Sequence, residues 1–139
     1  MSPLTATSVA CANIAFIKYW GNRDDELRLP STGSLSMNLD SLFARTQVTF
    51  DTHFKKDSLE INTIPTFGPA LDRVTGFLNL VRSIAGRESA TMARRTMFAA
   101  VSSENNFPMD TGIASSAAAF AALALDSTQA IGINLSDLV

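Results

Sequence analysis

Residues 112–130 constrain the fold of this chain more than any other part. They are apolar on every side and rich in alanine, so the helix they form is predicted to be central and buried rather than laid on a surface. The alanines let neighbouring backbones come close, and Gly132 and Asn134 end the run. A chain that covers such a helix needs a core, and this one has the material for it. Of 139 residues, 46% are hydrophobic and 17% charged, with a mean hydropathy of +0.15. That is the length of one domain, able to bury roughly two-thirds of its unfolded surface. Disorder is excluded by the same figures. A net charge of −2 and a pI near 5.2 leave no basic field for nucleic acid. The single cysteine, Cys11, excludes a disulfide framework or a Cys-rich zinc site and reads as a buried small hydrophobe. The single histidine, His53, excludes multi-His metals and reads as exposed and inert in a polar turn. No basic leader precedes the first strand, and the longest apolar run falls far short of the roughly 18 residues of a membrane span. The chain therefore reads as soluble and cytoplasmic.

The first half reads as strands. Residues 6–10 and 14–17 are short apolar runs, and 43–51 alternates, with Arg45, Gln47, Thr49 and Asp51 on one face and Ala44, Thr46, Val48 and Phe50 on the other. Leu59, Ile61 and Ile64 continue a two-residue alternation. A first helix is predicted from Gly68-Pro69, with Leu71, Val74, Leu78, Val81 and Ala85 on one stripe and Gly86 as its stop. Residues 96–103 read as another buried strand. Residues 135–139 look like a serine N-cap and the first turn of a third helix, and one turn is not stable alone. The class is α+β, and the chain reads as the front part of a longer protein.

Two stretches have the residue types of a site. In 108–116, Pro108 fixes the approach, Asp110 or Thr111 can cap, Gly112 permits close backbone approach, and Ser115 and Ser116 fall on the first turn of the buried helix. The free N–H groups and positive dipole end of such a turn bind anions, and the hydroxyls add donors or a magnesium ligand. The spacing equally suits a capped core helix whose serines bond their own backbone; no Walker lysine follows. In 13–25, an apolar strand also carries Lys18, Tyr19 and Trp20. A lysine there either faces an anion or snorkels at a strand end beneath the aromatic pair. Arg73 falls on the polar face of the first helix and reads as solvated, and Arg94-Arg95 is too short a basic run to imply a partner.

Taken together, three stretches carry a resemblance. They are Ala10-Cys11-Ala12-Asn13-Ile14-Ala15-Phe16-Ile17-Lys18-Tyr19-Trp20-Gly21; Leu29-Pro30-Ser31-Thr32-Gly33-Ser34-Leu35-Ser36; and Asn105-Asn106-Phe107-Pro108 followed by Gly112-Ile113-Ala114-Ser115-Ser116-Ala117-Ala118. In this order they resemble the mevalonate diphosphate decarboxylase family of the GHMP kinase superfamily, and the Lys-Tyr-Trp-Gly element separates the decarboxylases from the kinases. The resemblance implies a ribosomal protein S5 domain 2-like N-terminal domain over residues 1–139, incomplete relative to the family. It implies a carboxy-lyase of the mevalonate pathway of isoprenoid biosynthesis. ATP phosphorylates the 3-hydroxyl of mevalonate 5-diphosphate, and loss of phosphate and carbon dioxide gives isopentenyl diphosphate. By resemblance, Asn13, Pro108, Gly112, Ala114, Ser115 and Ser116 bind ATP, with Ser115 or Ser116 as a possible Mg²⁺ ligand. Lys18 stabilises charge at the reacting end, and Tyr19, Trp20, Gly21, Asn22 and Arg73 contact substrate. The family is commonly a homodimer.

Two departures shape the expectation. The family carries a lysine where this chain has Asn22, which leaves room for mevalonate 5-phosphate as substrate. The family's chains are more than twice as long, and its catalytic aspartate lies in the second half. Asp110 does not replace it, so these residues alone are expected to be inactive. A non-catalytic or split N-terminal fragment that binds nucleotide is the alternative of a different class.

Overall fold

The computed structural model describes residues 2–27, 29–87, 92–108 and 115–133. In chain order the elements are β1 (Leu4–Ile17), β2 (Asn22–Asp24), β3 (Leu29–Pro30), β4 (Leu35–Asp51), β5 (Ser58–Ile61), β6 (Ile64–Thr66), α1 (Pro69–Ala85), a 3-10 turn (Met92–Thr96), β7 (Phe98–Asn105) and α2 (Ser115–Ile131). Five strands form one sheet in the order β1-β4-β7-β5-β6, and β2 pairs with β3 separately. All neighbours in the large sheet are antiparallel except β5 and β7, whose parallel pairing is reached by a crossover through β6 and α1. This mixed sheet with helices is the expected α+β architecture.

Strand alternation decides which face is covered. Ala44, Thr46, Val48 and Phe50 of β4 and Ala99, Val101 and Ser103 of β7 are buried, while Arg45, Gln47 and Glu104 point the other way into solvent. Both helices pack on the buried face. Val74, Leu78 and Val81 of α1 and Leu123, Ala130 and Ile131 of α2 join Val48, Phe50, Leu59 and Met97 in one core. At the start of α1, Pro69 supplies its fixed φ at N1, and the Asp72 N–H closes on Gly68 O at 2.9 Å. Gly86 stops the helix without leaving the right-handed region. A Cβ there would stand 3.3 Å from Arg95 Cδ, so close approach rather than conformational freedom explains the glycine. α2 ends in a Schellman motif: Gly132 takes φ +81°, its N–H bonds Gln129 O, and the Ile133 N–H bonds Thr128 O. Arg94 adds a cation at that negative helix end, donating to Ile131 O at 2.8 Å.

Several expectations need correction. Residues 6–10 and 14–17 belong to a single strand, and its partner β4 begins eight residues earlier than the alternation of 43–51 suggested. The two halves of this pair meet at a register shift, where Cys11 pairs with Phe43 but Ala12 with Leu39, so residues 40–42 bulge out. Asn106 pins the bulge: its Oδ1 accepts the Phe43 N–H and its Nδ2 donates to Ser41 O, both at 2.8 Å. The alternation of Leu59, Ile61 and Ile64 spans a hairpin, turned by Asn62 and Thr63 with φ +49° and +66°. The last strand starts two residues later than expected, after the 3-10 turn. α2 is covered on one side and bare along Ala117, Ala121, Leu125 and Gln129. Alanine carries too little apolar surface to dictate a direction, so an all-apolar helix still leaves a face in water. Cys11 is half-buried rather than buried.

His53 is exposed as expected but not inert. Its backbone N–H and Nδ1 both lie on Asp51 Oδ1, at 2.8 and 2.7 Å, and these bonds hold the Asp51 carboxyl below the usual carboxylate range. Asn134 and residues 135–139 lie outside the described residues.

One buried ion pair went unread in the sequence. Arg82 grips Asp57 bidentately, at 3.0 and 2.9 Å, and Asp57 Oδ1 also accepts the Ala99 N–H at 2.9 Å. Helix α1 is thereby tied to β7 and to the turn before β5.

Candidate functional site

The two stretches singled out in the sequence emerge at different places on the sheet. At the end of β1, beyond the register shift, Asn13 Nδ2 donates to Asn38 Oδ1 at 2.9 Å. The chain then leaves the strand, and Lys18, Tyr19 and Trp20 are all exposed, Trp20 to 81%. Gly21 turns the backbone at φ +76°, a region in which side chains other than glycine's are strained. Asn22 opens β2 with its Nδ2 on Asp25 Oδ1 at 3.0 Å, and its own Oδ1 is buried with no partner among the described residues.

The second stretch meets α1 across a cavity of about 190 Å³ between the sheet and the two helices. Arg73 of α1, Ser116 and Phe120 of α2, and Thr46, Ser103 and Asn105 of the sheet all line it. Arg73 is exposed, as expected on the polar face of α1, and it also edges the cavity. Its guanidinium lies 6.0 Å from the Phe120 ring centroid, and Phe120 meets Phe77 edge-on at 6.2 Å. Arg73 forms no ion pair among the described residues. Asn105 Oδ1 is buried with no partner among the described residues, although its N–H is taken by Asn62 Oδ1 at 2.9 Å. Ser116 is exposed on the first turn of α2, where the amides have no carbonyl of their own helix to bond. The cavity is thus mostly apolar, with a cation, a hydroxyl, an open amide oxygen and a helix N-terminus at its edge. That combination accepts an anion carried on a flat or apolar body.

Arg73 and Ser116 therefore share one cavity. Asn13, Lys18, Tyr19, Trp20, Gly21 and Asn22 do not line it. Pro108 is exposed; Gly112 and Ala114, like Asp110 and Thr111, lie outside the described residues, as does the side chain of Ser115. Sequence reasoning assigned no role to Asn105 or Phe120; for Asn105 the signal was available, as it opens the Asn-Asn-Phe-Pro motif.

Asp126 was also missed. It is wholly buried on α2, which packs on β1 and β4. Burial raises its carboxyl above the usual range, and the nearby Ser8 hydroxyl offsets part of that rise. That hydroxyl gives its proton to Ala122 O at 3.0 Å, which leaves both carboxyl oxygens unpartnered among the described residues. No group of three or more His, Cys, Asp or Glu is placed to hold a metal among the described residues.

Comparison with known proteins bears on this arrangement. The family model described as the diphosphomevalonate decarboxylase-like N-terminal domain matches residues 10–138. The diphosphomevalonate decarboxylase of Bos taurus is 36% identical over 147 residues, covering 97% of this chain and 35% of its own length. The mevalonate diphosphate decarboxylase from Enterococcus faecalis superimposes with a TM-score of 0.81 at 41% identity, over 96% of this chain and 39% of its own. MDDEF in complex with MVAPP, AMPPCP and magnesium does so with a TM-score of 0.81 at 41% identity, over 96% and 38%. The chain thus spans little more than a third of the proteins it matches. On sequence and fold alike, it belongs to the diphosphomevalonate decarboxylase-like N-terminal domain family.

Proposed function

We propose that this chain supplies nucleotide and substrate contacts of an ATP-dependent decarboxylase acting on mevalonate 5-diphosphate. In that reaction the 3-hydroxyl is phosphorylated, and phosphate and carbon dioxide then leave to give isopentenyl diphosphate. The observation that carries the reading is the cavity where Arg73 and Ser116 meet at the N-terminal end of α2. It is supported by the relative whose structure holds MVAPP, AMPPCP and magnesium.

The residues present fit a magnesium nucleotide. An open hydroxyl and helix amides suit phosphate oxygens, and the unpartnered Asn105 Oδ1 offers an acceptor at the cavity wall. In this reading Mg²⁺ is held chiefly by phosphates and water with one serine hydroxyl, Ser115 or Ser116. Bound there, the ion would neutralise charge on the transferring phosphoryl group. Asn13, Pro108, Gly112 and Ala114 complete the nucleotide contacts in this reading. Lys18, exposed and without an ion pair among the described residues, supplies a cation at the reacting end. Tyr19, Trp20, Gly21 and Arg73 hold the phosphorylated end of the substrate. A cytoplasmic homodimer belongs to the same reading.

A second reading has its own observation. Asn22 stands where the resemblance calls for a cation, and its amide is tied to the Asp25 carboxylate. An anionic neighbour disfavours a second phosphate, so mevalonate 5-phosphate is the competing substrate.

The test joins this chain to the part of the Enterococcus faecalis enzyme that follows the matched region. With mevalonate 5-diphosphate, the chimaera should release ADP, phosphate and carbon dioxide in equal amounts, and Ser116→Ala should depress that turnover. A chimaera that folds and binds ATP yet releases no carbon dioxide from either phosphorylated mevalonate would count against the proposal.

A further inference from the structure

The Leu29-Pro30-Ser31-Thr32-Gly33-Ser34-Leu35-Ser36 motif has no part in the reading above, yet the fold brings it onto the segment that does. Between β1 and β2 the backbone runs outside any strand through Lys18, Tyr19 and Trp20 before turning at Gly21. Ser31 and Thr32 hold this turn from the far end of the β2–β3 pair. Ser31 Oγ lies 2.7 Å from Trp20 O and 2.9 Å from Gly21 O, so its single proton is shared between two carbonyls. The Ser31 N–H donates to Gly21 O at 3.1 Å, and the Trp20 N–H donates to Thr32 Oγ1 at 3.4 Å. A Cβ on residue 21 would meet Ser31 Oγ at an ordinary 3.7 Å, so the glycine is required by its φ and not by lack of space. Lys18, Tyr19 and Trp20 are too exposed for packing to fix them. These hydrogen bonds tie Trp20 and Gly21 to the residues that follow β3.

We propose that Ser31 is the positioning residue of the 18–22 segment: together with Thr32 it ties down Trp20 and Gly21, so that Lys18 and Tyr19 meet a phosphorylated substrate already in place. The proposal rests on the substrate reading of Lys18 and Tyr19. Its physical basis is preorganisation, since a segment held before binding loses less conformational freedom on binding.

Trp20 is the chain's single tryptophan, so its fluorescence reports on this segment alone. In the first arm, without ligand, Ser31→Ala should lower Trp20 anisotropy and raise its quenching by acrylamide, with the far-ultraviolet circular dichroism unchanged. Ser31→Thr keeps the hydroxyl and should restore the wild-type values. Thr32→Val should shift them the same way as Ser31→Ala but less, because the bond it removes is longer. Equal anisotropy in wild type and Ser31→Ala overturns the proposal.

In the second arm, mevalonate 5-diphosphate is titrated while Trp20 emission is followed. Ser31→Ala should weaken Kd about tenfold and Ser31→Thr less than about threefold. Lowered anisotropy beside an unchanged Kd overturns the positioning role. A wild-type chain whose emission ignores the ligand overturns the substrate reading itself, and the first arm tells that failure apart from failure of the clasp.

Discussion

Asp126 carries a wholly buried carboxyl on α2, which packs on β1 and β4, with the Ser8 hydroxyl beside it. Its folded pKa is raised by desolvation above the unfolded value, so the folded state holds the proton more tightly. Stability from this group is fully present below the unfolded pKa near 3.8 and is lost as pH rises through the folded value. Wild type should therefore lose stability relative to Asp126→Asn as pH rises from about 4 to about 8, measured as the difference between their thermal midpoints. A constant difference would show that the carboxyl is not desolvated. Asp51 has the opposite sign: its lowered pKa contributes stability above the unfolded value, lost as pH falls through the folded one. At Arg82, removing the cation leaves the Asp57 carboxylate buried. Arg82→Met should cost about 3–5 kcal/mol in urea unfolding, and adding Asp57→Asn should recover part of it. At position 22, Asn22→Lys in the chimaera should raise kcat/KM for mevalonate 5-diphosphate more than for the monophosphate. A charge-assisted hydrogen bond to the extra phosphate is worth about 1.5–3 kcal/mol. Equal gains would remove the case for position 22 reading the second phosphate.

Among the elements, α2 depends most on the size of its side chains. Ala118 and Ala122 are buried against the sheet, and the Ser8 hydroxyl reaches Ala122 O, so the helix lies close to the strands. Ala121, one residue away, is exposed. Ala122→Leu should cost about 1–3 kcal/mol by overpacking, while Ala121→Leu should stay within about 0.5 kcal/mol of wild type. Chemical denaturation of both variants measures the contrast. This contrast was not legible in the sequence, which shows an unbroken alanine-rich run at both positions. α1 was legible, because its large apolar residues Val74, Leu78 and Val81 repeat on one stripe and its ends are marked by Gly68-Pro69 and Gly86. The first half of β4 was not: residues 35–38 are exposed on both faces and so carry no alternation to read.

At the scale of the whole molecule, one patch of exposed apolar residues lies where β1 and β4 extend past the register shift. Ile14, Phe16, Ile17, Leu35 and Met37 are all exposed there, and β1 is an edge strand 14 residues long. Long apolar edges pair with other chains, and natural sheets blunt them with charge. The 139-residue chain should therefore self-associate as its concentration rises, and Phe16→Lys with Leu35→Lys should shift it toward monomer in light scattering. A monodisperse wild-type monomer at all concentrations would contradict this.

What the sequence determined by itself is whatever depends on near neighbours in the chain. The period of α1, the alternation of β4 beside β7, and the residue types of 13–25 and 105–116 are all local. So is the family resemblance they carry. Tertiary structure decided the rest. Only folding brought Arg73 and Ser116 to one cavity, gave Asn106 a bulge to pin, and set Ser31 on the turn at Gly21. It alone left Asp126 buried without a partner among the described residues and one alanine face of α2 exposed. The reason is physical. A hydrogen bond or a burial between distant residues depends on how strands register and helices cross, and a small residue such as alanine or serine fits either outcome until its neighbours arrive.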